Sequence, residues 1–237
     1  MTSTSYHLKA IFVFLVCAFF LGGKVFAEDE IPPIPVKRGD TFVDLKAFES
    51  FLAHNGGEVN TTAAGDLAGM GEVQAVSTLS PDYQIFLLVH DKNGQLRLAA
   101  HTKLRDDRYR DLSVSLRVGK GSLFITLDTL QGVLGTYQFK RQPHGRLRLI
   151  GIKLHVSTLG PDPEDGEASH GGEGVVDTDF NLMTGKMLIK QLGNQPVTAQ
   201  FSGPACYFED FDFHLYICAE SMKTADGVSA RKLMLPH

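Results

Sequence analysis

The chain lacks tryptophan and has no run of lysine or arginine. Aromatic faces supply the stacking contacts of carbohydrate-binding grooves, so the missing tryptophan counts modestly against such a groove. Binding of nucleic acid depends on neutralising phosphates, and a chain with net charge −4 and no basic cluster is poorly equipped for it. The same absence removes the polybasic patch that would attract anionic lipid. The composition therefore argues against nucleic acid as a partner.

Short signatures of common catalytic sites are also missing. The sequence contains no GxSxG elbow and no P-loop, GxGxxG or HExxH pattern. Helices between successive strands, which a parallel βαβ fold requires, are absent from the pattern as well. Hydrolases that use a pair of carboxylates carry no short signature, so that class stays open. The sequence identifies no catalytic residue, no cofactor-binding residue and no metal ligand, and it leans away from an enzyme.

The first 27 residues have the pattern of a secretory signal peptide. Lys9 precedes a nearly uncharged apolar run over residues 10–23, and Ala27 ends a short stretch of the kind that signal peptidase cleaves. The apolar run is shorter than the roughly 20 residues that span a bilayer. We therefore predict cleavage after Ala27, export to the periplasm or the medium, and no stable membrane anchor afterwards. Cleavage removes two lysines and no acid, so the net charge falls from −4 to about −6.

Two of the three cysteines, Cys206 and Cys218, remain after that cleavage. The eleven residues between them exclude the CxxC spacing of redox and zinc sites. Because an exported protein folds in an oxidising compartment, we predict a structural disulfide between the two. In the chain-entropy model this bond stabilises the fold by on the order of 3 kcal/mol.

The rest of the chain divides into three parts. Residues 28–40 predict an extended, proline-rich leader, residues 41–220 a single β-rich domain, and residues 221–237 a C-terminal tail. An early helix is predicted from the apolar face of Leu45, Phe48 and Leu52, with Thr41 or Asp40 as the cap and Gly56-Gly57 as the end. The small residues over positions 60–76 predict a loop.

From about residue 83 the pattern changes to strands joined by turns. Asn93-Gly94 is the strongest hairpin signal, and three similar turns are predicted at residues 119–121, 143–145 and 184–185. The fold class predicted is therefore mainly β (α+β), an antiparallel β-meander of hairpins with one N-terminal helix packed on it.

One stretch of the strand region resembles uncharacterised exported bacterial proteins. In those proteins a strand ending in Leu-Ile-Gly is followed by a variable loop and an Asn-x-x-Thr-Gly-Lys turn. The matching residues here are Leu149, Ile150, Gly151, Asn181, Thr184, Gly185 and Lys186, and the resemblance covers about residues 62–190. Some of those proteins carry a Gly-Asp-Leu-Asn-Gly-Asp-Gly calcium-type repeat, which GDLAGMG at residues 65–71 resembles. The resemblance implies export and a shared fold, with no established activity.

Three acidic stretches are candidates for a ligand site. GDLAGMGE at residues 65–72 offers only Asp66 and Glu72, too few oxygens for calcium, so its glycines are assigned to a turn. The loop at residues 160–174 is rich in acids, glycine and proline and is assigned to a solvated connection, with a weak cation or partner site as the alternative. Residues 206–218 predict a half-buried strand with an aromatic core face and a wet face that carries Asp210, Asp212 and His214. These are metal-ligand types, but neighbours on one face lie nearly 7 Å apart, so the stretch is assigned a structural role, with a site for zinc or a related metal as the alternative.

These observations favour a non-catalytic binding or structural module of the periplasm or envelope, whose partner is a protein or a small ligand. The alternative is a hydrolase that uses a carboxylate and histidine site assembled across strands. A clustered pair such as Asp210 and His214 facing a deep pocket would favour the enzyme, and the same side chains on an open, wet face would favour the binding module.

Overall fold

The computed structural model describes residues 34–80, 83–104, 112–129, 132–157 and 175–234. The elements in chain order are β1 (Thr41–Phe42), α1 (Leu45–His54), β2 (Glu58–Leu67), β3 (Gly71–Ser80), β4 (Ile85–His90), β5 (Leu96–His101), β6 (Leu112–Gly119), β7 (Ser122–Thr129), β8 (Val133–Arg141), β9 (Leu147–Ser157), β10 (Val175–Asn181), β11 (Lys186–Gln191), β12 (Val197–Gln200), a 3₁₀ helix (Phe208–Asp210) and α2 (Ala230–Met234). The predicted mainly β class with an N-terminal helix is confirmed. The described residues include no helix with the length and apolarity to cross a bilayer.

The strands form two antiparallel sheets. The first sheet has the order β1-β5-β4-β3-β2, and the second has the order β12-β11-β10-β9-β8-β7-β6. All four turns predicted from residue 83 onward join neighbouring antiparallel strands: β4 to β5, β6 to β7, β8 to β9 and β10 to β11. At each of these turns one glycine adopts positive φ, including Gly94 at 77° and Gly185 at 72°. Glycine reaches this conformation without steric cost, which is why these signals were reliable.

Helix α1 covers one face of the first sheet. Phe48 and Leu52 are fully buried, and the Phe48 ring lies 5.4 Å from the ring of Phe86 on β4. The cap is Asp44, whose Oδ1 accepts a hydrogen bond from the backbone N–H of Ala47 at 2.8 Å. The predicted cap is wrong because Asp40 instead accepts from the Lys37 amide at 2.7 Å in the preceding turn.

The predicted loop over residues 60–76 is wrong, because β2 and β3 form a long hairpin there. The small residues serve a close approach between the sheets. A Cβ on Gly65 of β2 would lie 3.1 Å from the Val118 carbonyl oxygen on β6. The Asn60 side chain also donates to the Val114 carbonyl at 3.3 Å. Small side chains let the edges of the two sheets meet. The loop prediction interpreted the same small residues as loop composition.

At β4, both faces of the first sheet are buried. Ile85 and Leu87 of β4 face the second sheet in the larger core cluster, while Phe86 and Leu88 face α1 in a smaller one. The end of the predicted leader belongs to the smaller cluster, since Ile34 and Val36 are buried there. The predicted signal peptide and residues 28–33 lie outside the described residues.

Residues 206–218 do not form the predicted strand. They form a 3₁₀ helix followed by turns, with Phe213 at a φ of 62° and Cys218 at 68°. A strand of this length would separate its ends by roughly 40 Å, whereas the Cα atoms of Cys206 and Cys218 lie 6.1 Å apart. The disulfide and the strand are therefore incompatible. Four of the segment's apolar side chains are buried in the larger core cluster: Phe208, Phe211, Phe213 and Leu215.

The residues assigned to a C-terminal tail also contact the core as far as residue 234. Met222, Ala230 and Met234 are buried in the larger cluster. Backbone hydrogen bonds of 2.9 Å in both directions join Ser202 to Lys223. These contacts hold the segment against the body of the protein.

Candidate functional site

The predicted disulfide is present between Cys206 and Cys218. Their Cα separation of 6.1 Å lies within the range that a disulfide spans. The closed segment is bonded to the sheets on both sides: Leu149 of β9 donates its N–H to the Cys206 carbonyl at 2.9 Å, and Lys103 donates to the Phe211 carbonyl at 3.1 Å. The disulfide therefore closes a segment that is itself hydrogen-bonded to the body of the protein, as expected of a structural bond.

The candidate metal residues of this segment do not lie in one row. Asp210 lies 3.5 Å from the Arg146 guanidinium, and Asp212 accepts from the backbone N–H of His214 at 3.1 Å. Asp212 and His214 border a surface cleft of about 260 Å³ that Asp210 does not line. No group of three or more His, Cys, Asp or Glu side chains suited to a metal ion occurs within the described parts of the chain.

The other two acidic candidates can be placed only in part. Residues 68–70 form the turn between β2 and β3. Gly69 and Gly71 have positive φ, so the assignment of the glycines to a turn is confirmed for these two, whereas Gly65 lies within β2. Asp66 and Glu72 face each other across this hairpin. The loop at residues 160–174 lies outside the described residues.

The Asn-x-x-Thr-Gly-Lys turn has a structural explanation. The Asn181 side-chain oxygen accepts hydrogen bonds from the backbone N–H groups of Met183 and Thr184, each at 3.0 Å. A Cβ on Gly185 would lie 2.0 Å from the Phe201 carbonyl oxygen, so only glycine fits there. Asn181 in turn pairs with Gly151 of the Leu-Ile-Gly strand. The Asn-x-x-Thr-Gly-Lys residues therefore form a packed turn next to the Leu-Ile-Gly strand, and this packing explains them without a binding site.

A different set of polar residues forms a groove on the outer face of the second sheet. We call it the outer groove, and it has a volume of about 380 Å³. Its polar and apolar side chains come from four adjacent strands, β8 to β11. They form two rows across the strands: Leu134, His155, Asp177 and Lys190 in one, and Thr136, Lys153, Asp179 and Leu188 in the other.

Each row of the outer groove contains a cation–anion contact. His155 Nδ1 lies 2.7 Å from an oxygen of Asp177, and Lys153 Nζ lies 3.6 Å from an oxygen of Asp179. All four side chains are between 46% and 74% exposed. Exposed ion pairs contribute only about 0–1 kcal/mol each to folding, so stability does not account for this arrangement.

The His155–Asp177 contact gives the groove a defined chemical feature. A carboxylate bonded to Nδ1 fixes the orientation of an imidazole and leaves Nε2 to contact a ligand. The hydroxyl-bearing residues among the described lining are Thr136 and Thr178, and Thr178 is buried. No serine or cysteine occurs among the described lining residues. The groove can therefore bind polar groups of either sign, and it could position a water molecule beside the imidazole.

Sequence reasoning missed the outer groove although its signal was present. Lys153 and His155 alternate with buried Leu154 and Val156 along β9, as do Asp177 and Asp179 with their neighbours along β10. The pairing of the two strands was hidden because 17 residues, 158–174, separate them in the sequence. The comparison with known proteins adds nothing to this site: no family model, no curated protein and no solved structure matches the chain.

Proposed function

We propose that this chain is an exported protein of the periplasm or envelope that acts by binding, without catalysing a reaction. The outer groove is the observation that carries the proposal. It presents two rows of charged groups on an open, wet face, where a ligand from solvent can contact both rows. The N-terminal signal pattern and the disulfide support export, because disulfides persist in oxidising compartments.

The arrangement of charges defines the kind of ligand. Neighbouring strands lie about 4.8 Å apart, so a molecule laid across β9 and β10 meets a cation and an anion within one short span. Leu134 and Leu188 supply apolar contacts at opposite corners of the two rows. A small polar ligand or protein segment that carries charges of both signs fits this surface, and a short peptide is the simplest example.

A thermal-shift screen tests the binding proposal, since a ligand that binds only the folded state raises Tm by mass action. The panel contains short peptides, sugars, nucleotides, amino acids and divalent cations. We expect charged peptides to raise Tm and the Asp177→Asn, Asp179→Asn double variant to lose that shift. Glu58→Gln, Glu72→Gln is the matched control, because it removes two exposed carboxylates from the first sheet. A shift that is equal in both variants contradicts a site in the outer groove.

Export has its own test. The full 237-residue sequence is expressed in a bacterial host, the cells are fractionated, and the N-terminus of the product is determined. We expect a periplasmic or secreted chain that begins at Glu28, because cleavage after Ala27 follows the signal pattern. A cytoplasmic chain that retains residues 1–27 contradicts export.

A hydrolase is the second candidate, and the His155–Asp177 contact favours it. In that mechanism Nε2 of His155 takes a proton from water while the Asp177 carboxylate holds the imidazole in place. Turnover of chromogenic carboxyl and phosphate esters is the measurement, with His155→Gln as the test variant and His144→Gln, an exposed histidine outside the groove, as the control. Turnover that His155→Gln alone abolishes would establish the hydrolase, and no turnover above buffer is the result expected of the binding module.

A further inference from the structure

A second cavity lies at the end of the first sheet, beside the disulfide-closed segment. Its volume is about 410 Å³, within the range of small-molecule sites, and its walls are mainly apolar. Most of its lining comes from the end of β5 and the residues after it, and Glu209 contributes from the closed segment. The other lining residues include Arg38, Gln84, Ala100, His101, Lys103 and Leu104.

Gln84 contributes a polar side chain to the wall of this cavity. The side chain is 4% exposed, and its amide nitrogen lies 2.9 Å from the Thr102 carbonyl oxygen and 3.1 Å from His101 Nδ1. Its carbonyl oxygen is buried and has no hydrogen-bond partner in the part of the chain that the structure describes. A buried acceptor without a donor is costly, and most such oxygens in proteins are satisfied.

The rim of the cavity carries positive charge. Arg38 and Lys103 are exposed, and neither forms an ion pair within the described residues. Glu209 is the one carboxylate of the described lining, and it lies 3.4 Å from the Arg146 guanidinium, which partly neutralises it. The cations at the rim therefore favour an anionic group, while the walls favour an apolar chain.

We propose that this cavity binds a free hydroxy-carboxylate with a short to medium alkyl chain. The carboxylate contacts Arg38 and Lys103, and the chain lies along Ala100 and Leu104. The hydroxyl donates to the carbonyl oxygen of Gln84. Because protein atoms cover that oxygen, the hydroxyl reaches it only when Gln84 shifts toward the cavity that it lines.

Calorimetric titration of the exported protein with 3-hydroxyoctanoate, octanoate, 1-octanol and octylamine tests the ligand class. We expect 3-hydroxyoctanoate to bind most tightly, octanoate next, and octylamine not at all. Across shorter homologues the affinity should rise about fourfold per methylene until the chain fills the cavity. Octylamine that binds as tightly as octanoate, or no saturable binding by either acid, overturns the proposal.

Three variants locate the site. Arg38→Gln, Lys103→Gln should weaken both acids about tenfold or more and leave 1-octanol unchanged, since a charged hydrogen-bond partner is lost. Gln84→Met should remove the preference for the hydroxylated acid. Lys92→Gln, in the turn between β4 and β5, is the control and should bind as the wild type does. If Gln84→Met does not fold, the charge variant still decides, because wild-type affinity in that variant refutes the site.

This cavity is independent of the outer groove. The Asp177→Asn, Asp179→Asn variant should bind 3-hydroxyoctanoate with unchanged affinity, because neither residue lines the cavity. Loss of binding in that variant would place the acid in the outer groove and overturn the assignment to the Gln84 cavity.

Discussion

The Tyr137 hydroxyl donates a hydrogen bond to the backbone carbonyl of Leu215. Tyr137 lies on β8 and Leu215 lies within the disulfide-closed segment, 78 residues further along the chain. Both residues are buried, so this contact fixes an irregular segment to the interior of the second sheet. The segment is thus held by its aromatic side chains, by this hydrogen bond and by the disulfide.

Removal of the tyrosine hydroxyl should leave a buried carbonyl without its donor. We expect Tyr137→Phe to lower the free energy of unfolding by about 1–3 kcal/mol, measured by urea denaturation. Tyr207→Phe is the matched control, because that ring contacts the Arg146 guanidinium at the surface and the same hydroxyl is removed. An equal effect of the two substitutions contradicts a specific role for the contact with Leu215.

The disulfide should stabilise the folded protein because it lowers the conformational entropy of the unfolded chain. We expect Cys206→Ala, Cys218→Ala to lower the free energy of unfolding by on the order of 3 kcal/mol. Reductant should lower the stability of the wild type in the same way and leave the double variant unchanged. Thiols that react with an alkylating reagent in the native, unreduced protein would show that the bond does not form.

The sequence predicted the features that depend on residues close together in the chain. The turns at Asn93-Gly94 and Thr184-Gly185 were found because each requires a residue that tolerates positive φ. The division of the strands between two sheets was missed, because it depends on contacts between residues distant in the chain, such as Gly65 and Val118. For residues 206–218, a disulfide and a strand were predicted together, although a strand would hold the two cysteines too far apart.

The candidate site was missed for a related reason. His155 and Asp177 become neighbours only when β9 pairs with β10. The long connection between these strands does not reveal which residues of one strand pair with which residues of the other. Gln84 had no signal at all, because its role depends on the Thr102 carbonyl and on burial by surrounding residues. Predicting such sites requires the tertiary structure, since alternation reveals only which face of a strand a side chain occupies.

The close approach of β2 and β6 predicts a position that does not tolerate a methyl group. A Cβ on Gly65 would lie 3.1 Å from both the Cγ1 and the carbonyl oxygen of Val118. We expect Gly65→Ala to lower the free energy of unfolding by about 1–3 kcal/mol through overpacking. At Gly119 the nearest atom, 3.4 Å away, belongs to the long Arg117 side chain, so Gly119→Ala should be neutral or slightly stabilising. Equal stability of the two variants would show that the sheets can separate without cost.

The turn after Thr224 predicts a titration effect. The hydrogen bond from the Thr224 hydroxyl lowers the pKa of Asp226 below the usual value of 3.8. A carboxyl whose folded pKa is lowered contributes stability above its unfolded pKa and loses it as the pH falls through the folded pKa. Any contribution of Asp226 therefore disappears in acid below pH 3.8. NMR titration of Thr224→Val should show the pKa of Asp226 rising, and an unchanged pKa would contradict the assigned cause.

The ion pairs of the outer groove should matter for binding far more than for folding. His155, Lys153, Asp177 and Asp179 are all largely exposed, so solvent screens both contacts. We expect Asp177→Asn, Asp179→Asn to change the free energy of unfolding by less than about 1 kcal/mol in urea denaturation. A loss of several kcal/mol would mean that the charged rows stabilise the second sheet. Their arrangement would then be explained by folding, and binding would not be needed to account for it. Near-wild-type stability together with loss of the peptide-dependent Tm shift would show that the two carboxylates contribute to binding and not to folding.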